Sequence, residues 1–226
     1  MILAKDSAAL HMNTTENPKR ILIFGDSYTF GKIPGGLRYP NTKRFTGVLQ
    51  QELGESYEVI EEGLRGRMLV GENAFFPYRN GAEQFGPIIG SHLPFDLLII
   101  FLGTNDANSG SQKSPEEIVS GLDSYQEKLK WWCEHLNFPM PKILIMAPPP
   151  IKEEDSYKAF QNIFKGSEEK IRELPGFFKS YAEKNGLYFL DTSSLIAASE
   201  IDGIHLSERD NHVLGLQLAE HIKTLF

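Results

Sequence analysis

Residues 20–31 read RILIFGDSYTFG, and this stretch decides the architecture. Ile21–Phe24 is an unbroken apolar run between a charged residue and a glycine, the pattern of a strand buried on both faces of a parallel sheet. Gly25-Asp26-Ser27 then supplies the residue types of a tight turn into a helix. Further short apolar runs lie at Tyr57–Ile60, Asp96–Leu102, Ile143–Met146 and Leu187–Leu190. Between them, Ser114-Pro115-Glu116-Glu117 reads as a capping box. Ile118, Leu122, Tyr125, Leu129, Trp132 and Leu136 follow as one helical stripe. Ser167 caps a second expected helix reaching Lys184, which Pro175-Gly176 should kink or split before Asn185-Gly186 stops it. Ser207 and Asp210 open the last one, with Leu214, Leu218, Ile222 and Leu225 on its face. Strands alternating with helices predict a three-layer α/β/α domain with a mostly parallel sheet. Sites in such sheets form beyond the carboxyl ends of the strands.

The loops at those ends carry the candidate chemistry. Ser27 stands just past the first strand, where a glycine turn can present its hydroxyl above the sheet; read alone, it serves equally well as a helix cap. A serine hydroxyl needs a base and an orienting acid to act as a nucleophile. Asp202-Gly203-Ile204-His205 offers both within one turn, His205 to take the proton and Asp202 to hold the imidazole. Asp191, after the fifth apolar run, is the rival acid, and Asp26 is expected to bond turn amides. Gly103-Thr104-Asn105-Asp106 ends the third run, where Asn105 is either an oxyanion donor or an ordinary Asx-turn residue. Glu61 through Arg67 brings glycines at which backbone N–H groups can approach a ligand.

Composition narrows the classes. A formal charge of −7 argues against a polyanion partner such as nucleic acid. No apolar run approaches the roughly 18 residues of a membrane span, and cytoplasm is the default location. The single cysteine, Cys133, excludes an internal disulfide and reads as a buried thiol. No histidine pair has metal-ligand spacing, and neither G-x-x-x-x-G-K-[ST] nor G-x-G-x-x-G follows the first strand, so no metal or cofactor is expected. His92 and His135 fall at expected helix ends as caps, with His212 and His221 on the last helix. His11-Met12 is the pair a common cloning site leaves, so residues 1–19 read as a cloning-derived leader and flexible lead-in, and residues 20–226 as one domain.

Four blocks in order, GDS at 25–27, a Gly-bearing loop at 63–66, GTND at 103–106 and DGIH at 202–205, resemble the SGNH hydrolase superfamily, also called GDSL esterases and lipases. VIEEGLRGR, PFDLLIIFLGTND, ILIMAPPP and DGIHLSE are similar to its aryl esterase and acyltransferase (perhydrolase-like) branch. The resemblance runs from about Arg20 to Leu225 and implies a flavodoxin-like sheet of five parallel strands. It implies Ser27 as nucleophile and first oxyanion amide, Gly66 rather than Gly63 as the second amide, and Asn105 as side-chain donor, with Asp202 and His205. Glu61 stands where the pattern has asparagine, which puts the bracing of that loop in question.

The leading expectation is hydrolysis of a small short-acyl ester through an acyl-enzyme, with acyl transfer to another acceptor as a branch property. Sugar deacetylation, thioester or lysophospholipid hydrolysis, and a non-catalytic α/β binding module are the alternatives. Phe30, Phe75, Phe76, Tyr78 and Phe85 are candidates for an apolar pocket or for core and interface. The aromatic-rich connection from Arg67 to Asn80 suits a lid or a homo-oligomer contact.

Overall fold

The structure is a computed structural model that describes residues 17–152 and 160–226. In chain order its elements are β1 (Lys19–Gly25), α1 (Ser27–Phe30), α2 (Phe45–Leu53), β2 (Tyr57–Gly63), α3 (Gly81–His92), β3 (Leu97–Phe101), α4 (Pro115–Ser120) and α5 (Leu122–Leu136). They continue with β4 (Lys142–Ala147), α6 (Gln161–Phe164), α7 (Glu168–Asn185), β5 (Tyr188–Asp191) and α8 (Glu208–Lys223). Of the expected leader and lead-in at residues 1–19, residues 1–16 lie outside the described residues.

All five strands are parallel, in the order β2-β1-β3-β4-β5. Side-chain alternation divides the core into two layers. Leu22, Phe24, Leu98 and Ile100 join α3, α5 and α7 on one face. Ile21, Ile23, Leu97 and Ile99 join α2 and α8 on the other. β1 and β3 are covered on both faces, which is why they read as continuous apolar runs; β2, at the edge, is only half-buried throughout. The chain leaves β1 for one side of the sheet and returns to β3 on the other, so the carboxyl ends of β1 and β3, Gly25 beside Phe101, flank the switch point.

Two helices differ from expectation. The stripe from Ile118 to Leu136 is one apolar face but two helices, parted at Gly121. A Cβ there would come within 2.7 Å of Leu69 and 2.8 Å of Val70, so the loop after β2 occupies the space of that side chain. In contrast α7 runs unbroken through Pro175 and Gly176. A proline in a helix interior costs about 3 kcal/mol. Ile171, Leu174 and Phe178 are essentially fully buried on its inner face, and each such side chain returns roughly 1.5–3 kcal/mol. Burial wins. The expected caps form at Ser114 and Ser207, whereas Ser167 precedes α7 without a capping bond from its side chain. Cys133 is buried on α5, where burial pushes its thiol up.

Candidate active site

The turn after β1 is built around an absent side chain. A Cβ on Gly25 would lie 2.1 Å from Thr29 Oγ1, so only glycine lets α1 fold back against the strand end. Asp26 caps α1 by accepting from the Tyr28 amide at 3.0 Å, as expected for that residue, and Gly31 closes the turn at φ 74°. Ser27 opens α1, nearly buried and lining a cavity of about 140 Å³. The Tyr28 hydroxyl donates to the Ile204 carbonyl at 3.0 Å, tying this turn to the segment that carries the histidine.

That segment folds around one carboxylate. Asp202 Oδ1 accepts from the amides of Ile204 at 3.1 Å and His205 at 2.9 Å, with Gly203 at φ 71° making the bend. Asp202 Oδ2 accepts from the Gly35 amide at 3.3 Å and lies 2.8 Å from His205 Nδ1. An ionised carboxylate can only accept, so this bond places the proton on Nδ1 and leaves Nε2 as the basic nitrogen. Burial raises the Asp202 carboxyl, but the bond and charge of His205 and the two amides outweigh it, leaving the group at about 2. His205 lines the same cavity as Ser27. Asp191, the rival acid, instead caps its own turn by accepting from the Ser193 amide at 2.9 Å.

Asn105 lines the cavity from the turn after β3. Its Nδ2 donates to Asp26 Oδ2 at 3.0 Å and to the Arg67 carbonyl at 3.2 Å. Gly66 also lines the cavity at φ 77°, its peptide held by Asn73 Nδ2 on its carbonyl at 2.9 Å. Gly63 has a different job: a Cβ there would sit 2.2 Å from the Phe30 nitrogen, so it admits α1 against β2.

Residues that the sequence reading does not single out bind these loops together. Asp106 accepts from the Leu69 amide at 2.7 Å and the Val70 amide at 3.0 Å. Arg67 is buried, stacks 4.0 Å over the Phe24 ring, and donates to the carbonyls of Gly25 (2.9 Å) and Glu62. Burial pushes the carboxyls of both Asp26 and Asp106 up to about 7, against the amides that bond them, and draws Arg67 down to about 10. An arginine in a loop carries no local signal that it will be buried. Glu61 answers the question of bracing: it accepts from Arg44 Nε at 2.7 Å and Thr46 Oγ1 at 2.5 Å and pairs with Arg38 at 3.1 Å.

Among the aromatics, Phe76 lines the cavity, while Phe75 and Tyr78 are exposed on the same loop. Phe85 does not belong to the site: it packs edge-on against Phe24 in the core, because it faces inward from α3. Phe160, Ile163 and Phe164 form an apolar wall, and the Phe160 ring meets His205 edge-on at 5.6 Å. His92 bonds Glu62 at 2.8 Å and His135 stacks on Trp131, so neither side chain caps its helix. Among the described residues, no three His, Cys, Asp or Glu side chains are placed to hold a metal ion, and no helix is long and apolar enough to cross a membrane.

The GDSL-like lipase/acylhydrolase family matches residues 23–212. Est24, a carbohydrate acetylesterase from Sinorhizobium meliloti, superposes with a TM-score of 0.87 at 36% identity over 92% of this chain and 100% of that one. The aryl esterase of M. smegmatis gives 0.86 at 38% identity over 92% and 100%. A putative arylesterase from Agrobacterium tumefaciens gives 0.81 at 32% identity, again over 92% and 100%. No curated protein matches the sequence.

Proposed function

The chain belongs to the GDSL-like lipase/acylhydrolase family, and from that membership we propose that Ser27, His205 and Asp202 perform its ester hydrolysis as a catalytic triad. The activity is that of a carboxylic ester hydrolase. The observation that carries the residue assignment is the 2.8 Å contact of His205 Nδ1 with Asp202, in a cavity that Ser27 also lines.

His205 Nε2 takes the Ser27 proton as Oγ bonds the ester carbonyl carbon. The tetrahedral oxyanion receives the amides of Ser27 and Gly66 and the Asn105 NH2. Both Asn105 contacts draw on that NH2, so the longer one, to the Arg67 carbonyl, yields when the oxyanion forms. The carbon–oxygen bond to the alcohol then breaks, and His205 returns the proton to the leaving oxygen. Water, deprotonated by His205, attacks the acyl-enzyme; the acid leaves and Ser27 regains its proton. Asp202 stays ionised throughout, its carboxyl held at about 2, and stabilises the imidazolium.

A cavity of about 140 Å³ suits a short acyl group. Its apolar wall also favours an alcohol or peroxide that competes with water as the acyl acceptor, making transfer a side reaction of the same intermediate. Aryl acetates and acetylated saccharides are the substrate classes to compare, since an aryl esterase and a carbohydrate acetylesterase are both close in structure. Exposed Phe75, Phe76 and Tyr78 favour a homo-oligomer that covers their loop. Light scattering should then give a mass above one chain, and a monomer at every concentration would rule that out.

The decisive assay follows p-nitrophenyl esters from acetate to decanoate. The shortest acyl chains should turn over fastest, and Ser27→Ala should lower kcat by at least about 10³-fold, because triad members act as a unit. Comparable rates for the two proteins would remove Ser27 from the mechanism.

A further inference from the structure

The chain is acidic overall, with 30 Asp and Glu against 23 Lys and Arg, yet the cavity around Ser27 has the opposite balance. Lys32, Arg65 and Arg79 line it, and no aspartate or glutamate does among the described residues. The hydrogen-bond partners seen for Lys32 and Arg79 are neutral carbonyls, and the one carboxylate that acts on Lys32 is Asp202, already bonded to His205. Lys32 Nζ donates to the carbonyls of Ile33 (3.0 Å) and Gly36. Arg79 donates to the carbonyls of Arg65 (2.6 Å), Pro77 (3.0 Å) and Tyr78 (3.2 Å). The Arg65 guanidinium lies 5.5 Å over the Phe30 ring. The contrast is local: Arg38 and Arg44, near neighbours that do not line the cavity, both pair with Glu61. Backbone dipoles and a ring face orient a cation without neutralising it, so the balance of charge among the described lining residues is positive.

The position of these cations points to one part of the substrate. The loop carrying Lys32 touches the histidine segment through the Gly35 amide on Asp202, so Lys32 stands on the side of the Asp202–His205 pair. His205 hands its proton to the leaving oxygen, so the departing alcohol lies on that side.

We propose that this site selects esters whose alcohol portion carries a carboxylate, which Lys32 and Arg65, with Arg79 beside them, bind through charge-assisted hydrogen bonds. The inference rests on the esterase reading and adds the class of ester. Hydrolysis of such a substrate yields a short carboxylic acid and a hydroxy acid, with water as the only co-reactant.

The test compares 4-acetoxybenzoate with its neutral methyl ester, following release of the phenol by the intact chain and by Lys32→Gln, Arg65→Gln and Arg65→Lys. The readout is the ratio of kcat/KM for the anionic ester to that for the neutral one. Differences in leaving-group reactivity cancel when this ratio is compared between proteins. It should fall by at least about tenfold in K32Q and in R65Q, whatever happens to the neutral ester alone, and stay within about threefold in R65K, which keeps the charge. For the intact chain it should also fall as salt rises from about 20 mM to about 0.5 M, because exposed charges are screened. A ratio that does not move in either Gln variant, while the neutral ester is still hydrolysed, overturns the anionic preference and leaves the esterase reading standing. If the intact chain hydrolyses p-nitrophenyl acetate but neither of these esters, this inference falls alone; if it hydrolyses none of the three, the esterase reading falls with it.

Discussion

Asn105 shows how much one side chain is asked to do. Its amide nitrogen bonds the buried Asp26 carboxylate at 3.0 Å, a contact that fixes where the NH2 points before any substrate arrives. Asp26 in turn caps the turn that presents Ser27. The proposed nucleophile and the proposed donor are thus referenced to the same carboxylate. Asn105→Ala should therefore lower kcat by about 10²–10³ with a smaller effect on KM, since an oxyanion donor acts mainly in the transition state. A loss confined to KM would place Asn105 in ground-state binding instead. Asp202 is legible as an acid three residues before a histidine, with Asp191, after the fifth apolar run, as its rival; the fold sets Asp202 at 2.8 Å from the imidazole and Asp191 on the Ser193 amide.

Among the elements, α4 and α5 carry the clearest lesson. Periodicity identifies the buried face, and Ile118, Leu122, Tyr125 and Leu129 are all inside. It cannot show that the residue at the division has Leu69 and Val70 packed against it, because these come from a loop some fifty residues earlier. Gly121 has ordinary helical angles, φ −57° and ψ −22°. Helix propensity alone therefore predicts that Gly121→Ala stabilises by about 0.5–1 kcal/mol. Forcing a methyl group against packed neighbours costs about 1–3 kcal/mol. The second effect is larger, so the variant should unfold at a lower denaturant midpoint than the parent. A raised midpoint would mean the loop gives way easily. At α7 the expected split does not occur: Pro175 stands inside one continuous helix whose inner face is buried.

The assembled chain places two carboxyls, Asp26 and Asp106, deep beneath the site with pKa values raised to about 7 from an ordinary 3.8. A raised value means that the folded chain holds protons the unfolded chain has released. The stability linked to these groups is full below about pH 4 and is lost as pH rises through about 7. Asp202, lowered to about 2, behaves oppositely: its contribution is present above about pH 4 and is lost as pH falls through 2. Between pH 6 and 8.5 the first pair titrates and Asp202 does not. The melting temperature should therefore fall across that window, and fall less in Asp26→Asn. The amide also sets an NH2 against Asn105 and lowers stability at every pH, so the slope is the quantity to read. Parallel slopes for the two proteins would mean that Asp26 does not titrate there.

The order of residue types along the chain was enough to establish a parallel α/β sheet and to mark the four loops at its carboxyl edge, because strand burial and turn chemistry are written in neighbouring residues. The same local chemistry marked Ser27, Asn105 and the Asp202–His205 pair as candidates. It could not foresee Arg67 stacked under the site, Asp106 bonded to the Leu69 and Val70 amides, or three cations sharing one cavity without an acid among the described lining residues. Those arrangements join segments dozens of residues apart. Burial and charge balance depend on which segments meet in space, and that is settled only when the sheet brings its loops to one edge.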